Sequence, residues 1–577
     1  MIESNDGGAN VSDDGGKSWS PQDNQPTAQI YRVSTDNHFP YRILGAQQDN
    51  SALRIASRGA GQGIGRGDWD VTAGGESGYI VADPKDSDVV FGGSYGGLIV
   101  RLNHRTGETR DVNPWPDNPM GWGAAELKVR FQWNFPLFFS PNDPSVMYTA
   151  ANVLFKTSDG GSSWQTISPD LTRNDKSRLG PSGGPITKDN TSVEYYATIF
   201  TAAESPVAPG VLWAGSDDGL VHVSSNGGES WRDVTPHGLP EWTMINSIEA
   251  SPFDKDTAYV AATRYKLDDL RPYLYKTTDG GKSWMRIDSG IDAAHFTRVV
   301  RADPAHRGLL YAGTERGVYA SWDDGGHWQA LQGNLPIVPV TDLAIKGADL
   351  IAATQGRGFW IADLTAVRAT PEKAAGRLLF LPPSPATRLA SGQGDGDDGP
   401  PPSGVGENPP SGVVLSYLLT GAALEHPEKE LKLEILDPST KTIRTFVGKP
   451  KPAKVEKKDD GKDKDGDDDG DSDDKAAQLL PAEIGLNRFV WDLTYDKPKG
   501  FPGLILWSGQ LAGPIAVPGA YQARLTVGAE TATVPFTVLA DPRSHATLDD
   551  QKAQLAFLLG LRDEVDRTHD ALRRIRR

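Results

Sequence analysis

The sequence contains no cysteine. That single absence removes disulfides, thiolate nucleophiles and Cys-ligated zinc together. A chain of 577 residues can do without disulfides because its core is large enough to hold it folded. No run of about 18 apolar residues occurs, so nothing reads as a membrane-spanning helix. Histidine is scarce, with 10 residues scattered along the chain and no His-Glu-x-x-His pair. No metal and no cofactor is therefore expected. Basic residues are the minority: 59 Lys and Arg face 76 Asp and Glu, a net charge of −17. That balance argues against nucleic acid as a partner, which wants a basic face. Nearly half of the excess sits in one tract, "DDGKDKDGDDDGDSDD" from Asp459 to Asp474, with 10 Asp against 2 Lys. The remainder is only mildly acidic. The start, "MIESNDGGAN", is polar and shows no signal-peptide pattern. The chain opens almost inside a repeat and stops within the basic "ALRRIRR", so both ends read as cut.

What is abundant is turn chemistry: 64 Gly and 42 Pro, together with 15 Trp. This mixture suits many short strands joined by tight turns. The chain also repeats itself. "VSDDGGKSWS" at residues 11–20 returns as "TSDGGSSW" from Thr157, "SSNGGESW" from Ser224, "TTDGGKSW" from Thr277 and "SWDDGGHW" from Ser321. Around each box runs a wider pattern: a strand, "SP" or "DP", a second strand, a Gly-rich turn, a third strand, the box and a fourth strand. Four short antiparallel strands recurring every roughly 40–60 residues make the blade of a β-propeller. Six fairly complete units fall between residues 28 and 332. Strands at 340–364 are expected to close a seventh with the N-terminal box segment. Residues 1–365 are thus read as the propeller of an all-β protein.

The boxes resemble the Asp-box (BNR) repeat, Ser/Thr-x-Asp-x-Gly-x-x-Trp, of sialidases, sortilin-type receptors and two-propeller glycosidases. Residues 1–365 as a whole resemble exported bacterial BNR-repeat proteins labelled glycosyl hydrolases. The resemblance implies an extracytoplasmic setting. The box itself reads as structure. Asp14, Asp159, Asp279, Asp323 and, in one copy, Asn226 accept hydrogen bonds from their own turn. Trp19, Trp164, Trp231, Trp284 and Trp328 pack back between sheets, and Gly16, Gly161, Gly228, Gly281 and Gly325 occupy a position that needs φ > 0. A catalytic carboxylate would not survive the exchange for Asn226, whereas a turn-former does.

Topology then selects a face. In a four-stranded blade the second-to-third turn and the link to the next blade share one end, and the box lies at the other. The long loops fall on the box-free end: residues 113–136, 168–196 and 263–273. Loops of this length in a compact fold are usually functional. They offer Asp117, Glu126, Asp189 and Glu194 as candidate catalytic carboxylates. Trp115, Arg130, Trp133, Tyr195, Arg264 and Lys266 are candidate substrate-binding residues. Arg264, Arg316 and Arg357, on the turns of three consecutive blades, are a candidate clamp for a carboxylate or sulfate. Sialidases use an arginine triad in this way, but their Arg-Ile-Pro signature is missing here. Glycoside hydrolysis requires two carboxylates facing each other roughly 5–10 Å apart; Asp49, Glu76 and Asp268 also lie on that end. "GGSYG" around Ser94 matches a nucleophile elbow, yet it aligns with the ordinary blade turns at Ser216 and Thr314.

After the propeller, residues 366–412 read as a linker. Alternating strands across 413–542 suggest an immunoglobulin-like sandwich interrupted by a disordered acidic insert at 449–478. Residues 543–577 carry helical apolar spacing behind a Thr-x-x-Asp start. Two functions stay open. One is recognition of a glycan or other polymer on the box-free face, with glycoside hydrolysis as its catalytic form. The other is a non-catalytic scaffold of sortilin type that holds a peptide or partner protein.

Overall fold

A computed structural model describes the chain apart from residues 6–7, 22–26, 62, 192, 194, 370–377, 390–404, 421–430, 449–478, 502, 507–508, 510 and 577. The structure is all-β but for short helical turns and one long C-terminal helix. It divides into two compact units. The first comprises Met1–Asp363 with the short piece Asp397–Asn408, and the second Leu364–Gly396 with Pro409–Arg577.

Seven antiparallel meanders succeed one another in the first unit. They span residues 34–71, 80–111, 137–166, 199–233, 244–286, 297–330 and 340–363; the first six have four strands and the seventh three. Strands such as Ala258–Arg264, "AYVAATR", are buried on both faces, which explains their unbroken apolar run. Each sheet is sandwiched between its neighbours. One apolar cluster joins Val221 and Val223 of the fourth sheet to Ile245 and Val260 of the fifth, and another joins Tyr259 and Leu274 to Val300 and Leu310 of the sixth. The series closes on itself, because a further cluster joins Ile351 and Ala353 of the seventh sheet to Ile30 and Ile43 beside and within the first. Glycines in the second strands permit this closeness. A Cβ on Gly215 would lie 2.5 Å from Ile245 of the next sheet, and one on Gly313 would lie 2.8 Å from Val340.

Closure does not use the N-terminal box. Ile2–Asn5 pairs with Gly8–Val11 in a separate hairpin, and no ladder joins it to residues 340–363 among the described residues. The segment leading into the first sheet bridges instead. Ile30 N–H donates to Thr354 O at 3.0 Å, Thr341 Oγ1 donates to Ile30 O at 2.7 Å, and Gln29 pairs with Gln355.

The boxes share one geometry. In the copy at Thr277, the threonine hydroxyl donates to Asp279 Oδ1 at 2.8 Å and accepts from Gly281 N at 2.9 Å, while Ser283 N and Oγ both donate to the Asp279 carboxylate. The glycine four residues after the box Ser or Thr is left-handed throughout, with φ of +90, +84, +97, +80 and +92° at Gly16, Gly161, Gly228, Gly281 and Gly325. The tryptophan then staples the turn to the preceding sheet. Trp164, Trp231, Trp284 and Trp328 donate their indole N–H to the carbonyls of Val112, Ile167, Val234 and Ile287, each just past the fourth strand of the sheet before. The same four residues are the ones a Cβ on that glycine would strike. Gly and Trp of the box thus clamp one residue between them. Trp19 lies 41% exposed in its isolated hairpin.

Hydrogen bonds from the serine four residues on hold the carboxyls of Asp14, Asp159 and Asp279 down at about 2. A depressed pKa stabilises above the unfolded value and is lost as pH falls through the folded one. In the variant copy Asn226 Nδ2 donates to Ser230 Oγ at 3.0 Å, reversing that hydroxyl. Asn226→Asp restores a charge-assisted pair. It is expected to raise the melting temperature by roughly 1–3 °C at pH 7 and to leave it unchanged at pH 2. A gain that persists at pH 2 would contradict this account.

In the second unit two sheets enclose one core. The three-stranded sheet contains Leu378–Phe380, Val413–Leu419 and Gly485–Trp491. The five-stranded sheet contains Ala386–Arg388, Leu431–Leu436, Thr442–Gly448, Gly519–Val527 and Glu530–Ala540. Alternate residues such as Leu415, Tyr417, Leu433, Ile435, Phe489 and Leu525 fill the space between. Part of the expected linker is therefore structured: Leu378–Phe380 pairs with Tyr417–Leu419. Ala386–Arg388 runs parallel to Val538–Ala540. The apolar "LLF" has a strand face to bury, whereas the Gly- and Pro-rich stretch after it, like the acidic insert, falls largely outside the described residues. The helix Leu548–Arg576 begins on the anticipated box, with Thr547 Oγ1 donating to Asp550 Oδ2 at 2.6 Å and accepting from Asp550 N at 3.2 Å. Among the described residues no helix is long and apolar enough to cross a membrane.

Candidate functional site

Two adjoining cavities, of about 510 and 290 Å³, open among the second-to-third turns and inter-sheet links of the first unit. Gln132, Val193, Met244, Tyr265 and Lys266 line both, and no box residue lines either.

Aromatic rings build the walls of the larger cavity. Trp242, held at φ +62°, stacks on Tyr196 with centroids 5.6 Å apart. The guanidinium groups of Arg173 and Arg178 lie 5.2 and 5.9 Å from the Trp242 ring. Opposite stands Tyr265, in the turn Tyr265–Leu267, stacked on Phe296 at 4.8 Å. Arg298 covers both of those rings and is itself gripped by Glu315 at 2.6 Å. Arg264 joins the rim by donating to Glu241 O at 3.2 Å.

The floor carries a carboxyl group. Asp217, on the turn after the strand Leu212–Ser216, is 5% exposed. It accepts from Thr198 N at 2.9 Å, Thr198 Oγ1 at 2.7 Å and Gln132 Nε2 at 3.0 Å. Burial, aided by the charge of Asp218, outweighs those bonds and pushes the Asp217 pKa up to about 7. Burial raises Asp218 as well; that side chain accepts from Ser216 Oγ at 2.5 Å and from Arg173 N at 2.8 Å. Such a group near neutrality in a cleft is able to give up or hold a proton at working pH.

The smaller cavity leads toward the inner strands. Trp133 lies flat on Tyr95 at 5.5 Å and 6°. Tyr31 joins it, and Arg32 forms part of the floor. The Arg32 guanidinium sits 5.0 Å from the rings of both Tyr79 and Phe200, with one long bond from Nη2 to Asn246 O at 3.5 Å.

Of the residues expected from the loops, Trp133, Tyr195, Arg264 and Lys266 line the cavities. Tyr195 also ties two loops together, its hydroxyl donating to Pro119 O at 2.7 Å. The remaining candidates lie elsewhere. Asp117 accepts the Trp115 indole N–H at 2.7 Å, and Lys128 covers that ring, so the pair satisfies itself locally. Glu126 accepts Gly123 N at 2.9 Å and caps its own short turn. Asp189 is exposed on the hairpin Ser182–Gly183/Lys188–Asp189. Glu194 lies outside the described residues. Arg130, 3% exposed, is a structural ion pair with Asp170 at 2.8 Å. Arg316 and Arg357 line neither cavity, so the turn arginines do not converge there; Arg32 and Arg298 take that place from the inner strands. Asp217, Trp242, Tyr265 and Arg32 escaped the sequence reading. The one available signal was the doubled acid of "SDDG", where the equivalent turns read "TERG" and "QGRG".

No family model matches the chain. Two curated fungal proteins are similar to part of it. A probable oligoxyloglucan-reducing end-specific xyloglucanase of Neosartorya fischeri is 24% identical over 228 residues, 32% of this chain and 27% of that protein. The oligoxyloglucan-reducing end-specific xyloglucanase of Emericella nidulans is 23% identical over 106 residues, 18% of this chain and 13% of that protein. The chain therefore matches about a quarter or less of the length of these relatives. Among solved structures, an ancestral GH74 enzyme shares 15% identity over 69% of this chain and 40% of its own, with a TM-score of 0.34. YCF48 from Cyanidioschyzon merolae shares 12% over 58% and 94%, with a TM-score of 0.38.

Proposed function

We propose that the first unit is a seven-bladed β-propeller of Asp-box type that recognises a glycan or another polymer on the face opposite the boxes. The second unit is read as an immunoglobulin-like sandwich appended to it. The observation that carries the proposal is the aromatic pairing in the larger cavity. Trp242 on Tyr196 and Tyr265 on Phe296 offer flat, cation-backed faces along the larger cavity. The partial similarity to xyloglucanases supports a glycan as the ligand class. The extracytoplasmic setting that the Asp-box resemblance implies accompanies the proposal.

Recognition, rather than hydrolysis, is the better-supported form. Among the described lining residues Asp217 is the only carboxylate. Asp218 follows it on the same turn and is held by Arg173, so it does not face Asp217 across the gap as a hydrolytic partner must.

The test is a panel of soluble polysaccharides, neutral and acidic, measured by isothermal titration and by release of reducing ends. Binding without release is expected. Trp242→Ala should weaken binding by about tenfold or more, from the roughly 1.5–3 kcal/mol that a buried ring contributes. Binding to peptides but to no polysaccharide would overturn the proposal in favour of the scaffold. Sugar release abolished by Asp217→Asn would make the protein a hydrolase.

A further inference from the structure

Among the described residues, Arg32 is a buried cation lining the smaller cavity that has no acidic partner, and its neighbours show how unusual that is. Arg130 is answered by Asp170 at 2.8 Å and Arg301 by Asp342 at 2.6 Å. Arg32 is 4% exposed and within ion-pair distance of no carboxylate among the described residues. Its Nε is buried with no hydrogen-bond partner. Asp342, which reaches the same strand by accepting Val33 N at 3.2 Å, is already engaged by Arg301. An arginine cannot escape by losing its proton, so a buried and unanswered guanidinium costs several kcal/mol. The rings of Tyr79 and Phe200 offset part of that.

The rest of the smaller cavity has the same sign. Lys266 and Arg298 also line it, and no Asp or Glu does so among the described residues. Arg298 is answered by Glu315, but Lys266 is exposed and has no ion pair among the described residues. A patch with this bias is not a by-product of composition in a chain of net charge −17. Aromatic faces stand beside the cations: Trp133, Tyr31 and Tyr265.

We propose that the smaller cavity is an oxyanion subsite, in which Arg32 and Lys266 receive a carboxylate or sulfate carried on a sugar of the bound polymer. The ligand is then an acidic polysaccharide. The anion supplies the acceptor that Arg32 Nε lacks, and the sugar ring lies against Trp133. This rests on the glycan reading above and narrows it.

The full chain is titrated with polygalacturonate (carboxylate), dextran sulfate (sulfate) and xyloglucan (neutral). At least one acidic polymer is expected to bind about tenfold or more tightly than the neutral one, and which one identifies the oxyanion. Lys266→Glu, a change at an exposed turn, should abolish that preference by weakening the acidic polymer more than the neutral one. Arg32→Met should do the same without loss of melting temperature, because no ion pair is broken; if it fails to fold, Lys266→Glu alone decides. Lys552→Glu on the C-terminal helix is the control for non-specific polyanion attraction and should change nothing. Neutral and acidic polymers bound alike, or a preference that survives Lys266→Glu, overturns the oxyanion subsite while the glycan reading stands. Binding to none of the three overturns both.

Discussion

Replacing Trp328 by alanine is expected to lower the stability of the first unit by about 3–5 kcal/mol, the range for emptying a large aromatic site in a core. Trp328 is 1% exposed, and it packs among Ile287, Ile291 and Leu310, where the fifth and sixth sheets meet. Its indole N–H is the donor to Ile287 O, so truncation opens a cavity and orphans a buried carbonyl at one stroke. Trp19→Ala is the internal comparison. Trp19 belongs to the same motif, but it is 41% exposed and its box joins no other sheet. That substitution should fall within about 0.5 kcal/mol of the parent. Denaturant titration followed by intrinsic fluorescence separates the two. Similar losses for both would mean that the motif acts through its turn rather than through its staple.

The second large effect is a stability that falls as pH rises. Asp217 in the folded protein titrates near 7, against 3.8 for an ordinary aspartate. Between those values the unfolded chain has released its proton while the folded chain still holds it. Folding is therefore favoured less with each step upward, and the loss is complete above about pH 7. Summed over the window it amounts to roughly 2–4 kcal/mol, and Asp218 is shifted in the same direction. Asp217→Asn keeps the shape and cannot ionise. It should flatten the profile between about pH 4 and 7 and should match or exceed the parent's melting temperature at pH 8. Parallel profiles for parent and variant would show that the three hydrogen bonds to Asp217 hold it ionised after all.

These two residues mark where sequence reasoning succeeds and where it stops. The box announces itself because its chemistry is local: the hydroxyl, the carboxylate, the left-handed glycine and the tryptophan all lie within eight residues, as in Thr277–Trp284. Four of the meanders follow, since the boxes at Thr157, Ser224, Thr277 and Ser321 each mark the turn between a third and a fourth strand. The site is different because it is assembled from separate loops. Asp117 and Glu126 look available in the sequence, yet a neighbouring indole and a neighbouring amide consume them within three residues. Asp217 looks like an ordinary turn residue and gains its character only from Thr198 and Gln132, the latter 85 positions away. Arg32 carries no local signature at all. What singles it out is the absence of a partner, and no sequence records an absence of that kind. The structured part of the expected linker was missed for the opposite reason: "LLF" and "ATR" are too short to be read as strands until their partner ladders exist.

The bridge between the first and seventh sheets has a consequence in time. Thr341 and Ile30 are 311 residues apart, and Asp342 and Val33 are 309 apart. Residues 28–33 are synthesised early and must then wait, with their amides unanswered, until nearly the whole of the first unit has emerged. Every other junction between sheets joins neighbours in the chain and can form as the chain grows. This one cannot. The unit thus has a last step set by its topology, during which an open edge is exposed to other chains. The clasp carries no box tryptophan and is held instead by side-chain bonds such as Tyr41 to Asp349 and Lys346 to Asn37.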